Sequence, residues 1–222
     1  MGILGAAVGL GTIFGPALGG LLAGESLSTP FFIAGAMSFL ALGLTWILLP
    51  ESLPKESRQP AEKTVPLPEI RLWWQALFSP IGILLVLAFV LTFGLMMFYG
   101  IFGLYALERF AFGPEEVGVF FMVVGLVSAV TQGGLTGPIT KKWGESPVIK
   151  IGMLGSAVAL ILVGLAGSYW SLLVTIGIFV FATALLTPAI SSLTSKRAET
   201  QQGMAMGLSN SFMSLGRIAG PL

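Results

Sequence analysis

Seven side chains set inside apolar stretches of the sequence are the ones that could do chemistry: Tyr99, Gln132, Thr183, Thr187, Asn210, Ser214 and Arg217. Asn210, Ser214 and Arg217 are spaced by four and then three residues, which places them on one face of a helix. Arg217 is the one charge in the interior of such a stretch, away from its ends. A cation near mid-bilayer costs about 2.5–3.5 kcal/mol on insertion scales. It therefore faces a cavity or a neighbouring helix, or snorkels to the interface. Gln132 follows Ser128 and precedes Thr136 at steps of four, as a substrate contact or as helix–helix glue. Thr183, Thr187 and Ser191 share a face, although such hydroxyls can also bond back to their own helix. Tyr99 lies among Met96, Met97 and Tyr105, an adaptable surface for varied apolar ligands or ordinary core and lipid-facing residues. This chemistry recognises molecules and makes or breaks no bonds. The chain contains no His, Cys or Asp, and its ten acids are all Glu, none in the interior of an apolar stretch. Thiol chemistry, disulfides, a zinc site and a His base are excluded, and the sequence reads as a non-enzyme without cofactor or metal.

The elements that position these residues are apolar helices. Of 222 residues 55% are apolar and only 9% charged, with a mean hydropathy of +0.93. A soluble domain carries roughly 25% charged residues, so the expected solvent is a bilayer. A net charge of +1 gives no footprint for nucleic acid. Seven stretches have the length of a spanning helix: about 3–23, 30–49, 79–105, 116–136, 148–167, 170–191 and 203–222. Nine of the eleven cations fall in alternate connections, such as Lys141, Lys142 and Lys150, or Lys196 and Arg197. The opposite connections hold Glu25, Glu108, Glu115 and Glu116 with Arg109. Cations gather on the cytoplasmic side, so the first residue and the linker 50–78 are expected there. That linker begins as a charged, proline-rich connector and ends in Arg71-Leu72-Trp73-Trp74, the signature of a short interfacial helix. Gly113-Pro114-Glu115-Glu116 reads as a helix start, with proline in the first turn and acids at the positive end of the dipole.

The opening and closing stretches are related. Shifted by 205 positions, Met1, Gly2, Leu10, Gly11, Ile13, Gly15 and Pro16 coincide with Met206, Gly207, Leu215, Gly216, Ile218, Gly220 and Pro221. The matching stretches are six spans apart and so run the same way. This implies a parallel six-helix repeat, one of the arrangements in which transporters hold substrate between two halves. Residues 1–49 then read as the last two helices of a first half, and 79–222 as the first five of a second. On this reading the chain is a fragment, inactive alone. Gly11, Gly15 and Gly19 form a smooth ridge every four residues, and Pro16 bends the helix that carries it. Such a ridge suits a gating contact or static close packing.

The same residues resemble the major facilitator superfamily. Gly2, Gly11, Gly15, Pro16, Gly19 and Gly20 match the spacing of its motif C, which marks the twelve-helix drug:proton antiporter branch, including tetracycline and multidrug efflux pumps. Gly137-Pro138-Ile139-Thr140-Lys141-Lys142-Trp143-Gly144 is similar to motif A, with Lys141 in place of the usual Asp and Glu145 in place of a basic residue. The stretch from Thr187-Pro188 to Gly220-Pro221 resembles the tenth and eleventh family helices. The resemblance implies an all-α, polytopic membrane bundle, a partial major-facilitator fold covering helices five to eleven. It further implies export of a small amphipathic molecule by alternating access, driven by protons, from a protein monomeric when complete. The proton-coupling acids of the family lie in helices not represented here. The alternative is a non-transporting signalling or scaffold protein of the same fold.

Overall fold

A computed structural model describes residues 11, 14–15, 18–23, 26, 28–49, 70–198 and 202–222. Gly2, Pro16 and most of the linker lie outside them. The regular structure among the described residues is helical: α1 Thr29–Leu48, α2 Ile70–Leu77, α3 Gly82–Phe110, α4 Pro114–Val130, α5 Thr136–Trp143, α6 Glu145–Leu165, α7 Tyr169–Arg197 and α8 Gln202–Ala219. A π turn, Thr131–Leu135, joins α4 to α5 into one rod. Residues 18–23 are also helical.

Among the described residues, five helices are long and apolar enough to cross a membrane: α1, α3, the rod Pro114–Trp143, α6 and α7. The protein is therefore a membrane protein by its own helices. The expected first span falls mostly outside the described residues. The expected seventh is α8, 18 residues long; its Ser, Asn, Gly, Gln and Arg content dilutes the apolar character, and it is not among the five. The short helix expected at the end of the linker is α2.

Local chemistry sets the ends. Pro114 opens α4, and the Glu116 carboxylate accepts a hydrogen bond from the Gly113 amide at 2.8 Å, the half of a capping box that a glycine at the N-cap allows. Ala111, at φ 56°, stops α3 in the left-handed region, with its amide donating to the Leu107 carbonyl at 2.9 Å. Gly144, at φ 79°, makes the sharp corner between α5 and α6 that a side chain would strain.

Contacts give each helix its direction. The Phe98 and Phe179 rings lie 5.1 Å apart, while Arg197 donates to the carbonyl of Pro80 at 3.4 Å, so α3 and α7 are antiparallel. Phe102 meets Phe120 and Tyr99 meets Phe121, making α3 and α4 antiparallel as well. Gly152 lies against Ala182 and Leu186 while Glu145 pairs with Lys196, which sets α6 against α7. By contrast α8 runs parallel to α3: Gly216 lies against Phe89 and Thr92, Gly220 against Phe93 and Met96, and Pro221 against Gly100. The result is an alternating bundle with a basic end, carrying Lys141, Lys142, Lys196 and Arg197, and an opposite end carrying Glu108, Arg109, Glu115 and Glu116. Its core includes Leu85, Phe102, Phe120, Leu172, Phe179 and Leu186, each almost wholly buried. Outward-facing large apolar residues, such as Ile101, Leu154, Ile161 and Trp170, suit lipid.

The α3–α8 seam is tight enough to test. A Cβ at Gly216 would sit 2.6 Å from the Phe89 carbonyl oxygen and 2.9 Å from the Phe93 amide, both backbone atoms that cannot step aside. Gly216→Ala is expected to destabilise the protein by about 1–3 kcal/mol, the usual overpacking range. Gly207→Ala, with nothing within 4 Å of the new methyl, should be neutral or slightly stabilising through helix propensity. Thermal unfolding in detergent distinguishes the two.

Candidate functional site

The seam on α8 decides which of its faces is left for function. Ala205, Ser209, Phe212 and Gly216 are buried, and their spacing marks one stripe against α3. Asn210, Ser214 and Arg217 are exposed on the opposite face. No carboxylate among the described residues pairs with Arg217. The three thus share an uncovered polar face, as their spacing predicts.

The remaining four residues do not join that face. Gln132 lies in the π turn and is exposed together with Gly133 and Gly134, whereas Thr131 and Thr136 are buried. The step of four from Ser128 through Gln132 to Thr136 does not hold one face here, because a π turn adds a residue to the helical repeat. The Thr136 hydroxyl donates to the Thr131 carbonyl at 2.9 Å, filling the widened turn. Thr183 is buried and donates to the carbonyls of Phe179 at 3.0 Å and Val180 at 3.1 Å, so its hydroxyl is turned onto its own helix. Thr187 is half-buried beside Pro188, whose missing amide leaves the Ala184 carbonyl without its helical donor. Tyr99 packs between Phe98 and Phe121 with its edge exposed. A cavity of about 370 Å³ opens elsewhere, at the basic end, and none of the seven residues lines it.

The glycines separate into used and unused positions. Gly20 is buried, and a Cβ there would lie 2.6 Å from the Gly118 Cα and 2.8 Å from the Pro114 carbonyl oxygen. Residues 18–23 therefore meet the start of α4 at a glycine-to-glycine contact. Gly11, Gly15 and Gly19 have nothing within 4 Å, and neither have Gly207 and Gly137.

In the loop motif, Lys141 and Lys142 are exposed at the end of α5, where cations suit the negative end of the dipole. The next acid does what spacing alone did not disclose. Glu145, the first residue of α6, forms an ion pair with Lys196 and accepts a hydrogen bond from the Ser192 hydroxyl at 3.0 Å. The one signal was that an acid stood at a position where the motif carries a base.

Comparison with known proteins gives this arrangement relatives. A family model described as Major Facilitator Superfamily matches residues 1–221. Multidrug resistance protein 2 of Bacillus subtilis is 33% identical over 223 residues, covering 100% of this chain and 56% of that protein. Quinolone resistance protein NorA of Staphylococcus aureus is 30% identical over 222 residues, again covering 100% and 56%. The chain spans about half the length of these relatives. The crystal structure of the human organic anion transporter MFSD10 (TETRAN) superposes with a TM-score of 0.64 at 27% identity, covering 99% of this chain and 55% of that one.

The ion pair between α6 and α7 makes its own prediction. Glu145→Lys should lower the unfolding midpoint slightly, by an amount matching about 0.5–1 kcal/mol, because Lys196 is largely exposed. The double variant Glu145→Lys with Lys196→Glu should recover it. A double-mutant cycle on thermal unfolding measures the coupling.

Proposed function

The chain belongs to the major facilitator superfamily, and from that premise we propose that it serves a secondary exporter of small amphipathic molecules, working by alternating access and coupled to inward proton flow. The observation that carries this reading is the uncovered polar face of α8. A membrane helix that buries its smooth glycine side and leaves Asn210, Ser214 and Arg217 outward needs something other than lipid on that side. A second helix group across a water-accessible cleft supplies such an environment, and an amphipathic substrate could meet the three side chains there. Tyr99 and Gln132 would contribute from α3 and the π turn respectively. In this reading residues 1–49 belong to one half of the transporter, 50–78 link the halves, and 79–222 belong to the other. The relatives' names, multidrug and quinolone resistance, support a substrate class of varied small molecules. Protons would be coupled through residues beyond those described here, since no acid lies within the interior of α3, α6, α7 or α8.

The basic end of the bundle would face the cytoplasm by the positive-inside rule. The chain has no cysteine, so single cysteines report sidedness cleanly. Glu115→Cys should react with an impermeant maleimide on intact cells, and Lys142→Cys only after permeabilisation; the reverse pattern would invert the topology.

Cells expressing the complete gene that encodes this chain should accumulate less of a fluorescent amphipathic dye, and a proton uncoupler should abolish the difference. Arg217→Ala should cut the export rate about tenfold, the scale of one lost charge-assisted hydrogen bond, with membrane insertion preserved. Export that survives the uncoupler would refute proton coupling.

A further inference from the structure

The cavity at the basic end has a composition that none of the transport chemistry uses. It measures about 370 Å³ and lies between the end of α2, the turn into α3, the end of α7 and the start of α8. Its walls are apolar, from Ala76, Ile81, Ala205 and Leu208. One charge, Arg197, and the exposed amide of Gln75 stand at its edge. The Arg197 Nη1 donates to the Pro80 carbonyl at 3.4 Å, a long bond that leaves the other guanidinium donors available. The neighbouring Lys196 is engaged with Glu145, so the one carboxylate described nearby already has its cation. Trp74 and Phe78, both exposed and stacked at 6.3 Å, sit on the same turn, a pairing suited to the headgroup layer.

We propose that this cavity is a binding site for an anionic phospholipid, with the phosphodiester on Arg197 and Gln75 and the upper part of one acyl chain against Ile81, Ala205 and Leu208. A planar guanidinium fork suits a phosphate. The apolar walls suit a chain rather than a free ion, and the volume lies within the range of ligand pockets. Lys141 and Lys142, exposed at this end of the bundle with Arg197, make it positive, which favours an anionic headgroup and disfavours a choline. Basic pockets between membrane helices are general sites for acidic headgroups. The site tethers α2, α3, α7 and α8 through one ligand and is independent of the export reading.

The test places a reporter at the mouth. Met204, exposed and lining the cavity, is replaced as Met204→Trp, and the protein is reconstituted in vesicles containing brominated phosphatidylglycerol or brominated phosphatidylcholine. The native tryptophans are subtracted with the unsubstituted protein. Quenching should be stronger from brominated phosphatidylglycerol, and adding Arg197→Gln should weaken that preference about five- to tenfold. Equal quenching by the two lipids, or a preference that survives Arg197→Gln, would overturn the proposal. Soluble glycerol phosphate relieving the quenching would also overturn it, by showing an ion site rather than a lipid site. If Met204→Trp does not fold, native mass spectrometry of the unsubstituted and Arg197→Gln proteins from mixed-lipid nanodiscs reads the same outcomes: retained phosphatidylglycerol lost with the arginine supports the site, and retention equal in both overturns it.

Discussion

Two backbones touch where Gly216 and Gly220 of α8 lie on α3, and much of the bundle follows from that contact. In lipid, apolar side chains gain little by leaving one oily environment for another, so helices associate through dispersion and close approach. Hydrogen at the glycine positions allows the Phe89 and Phe93 carbonyls to come up against α8. The seam runs parallel, which fixes both helices to the same sense across the bundle. It also fixes the rotation of α8, and with it the outward placement of Asn210, Ser214 and Arg217. The polar face is thus a consequence of where the small residues are.

The two ends of the bundle are held by different physics. At the end bearing Glu115 and Glu116, rings form a continuous network from Phe98 through Phe102 and Phe120 to Tyr169. There the Tyr105 hydroxyl donates to the Val163 carbonyl at 2.9 Å, a second bond to an acceptor in the last turn of α6 that also takes the Ala166 amide at 3.2 Å. Offset and edge-on ring packing resists rotation of one helix against another. At the basic end the ties are the Glu145–Lys196 pair and the Arg197–Pro80 bond, around a cavity. Directional polar contacts of this kind can be exchanged singly, whereas an interlocked set of rings moves as a block.

The sequence made some of this legible and left other parts hidden, for identifiable reasons. Apolar runs located α1, α3, α6 and α7 because lipid imposes a uniform demand along a whole helix. Gly113-Pro114-Glu115-Glu116 announced its helix start because capping is local. The face of α8 was readable from spacing, since that helix is regular. The π turn was not: Gly133-Gly134 weakens the ordinary repeat without stating what replaces it, so Thr136 rotated inward and away from Gln132. Thr183 turned onto its own carbonyls, a choice between neighbour and self that periodicity does not contain. The partner of Glu145 lies 51 positions away, and only the antiparallel packing of α6 and α7 brings the two together. The opening repeat and the linker fall largely outside the described residues.

Helix α1 has no buried residue, and Phe31, Phe32, Trp46 and Ile47 are all more than three-quarters exposed. An oily cylinder so little covered by the other described helices takes most of its surroundings from outside them. When the bilayer is stripped away, surfactant must coat whatever part of that cylinder lipid had covered. Micelle thickness and alkyl-chain length therefore become structural variables for this protein, and harsh short-chain detergents would leave α1 as the first place where molecules stick together.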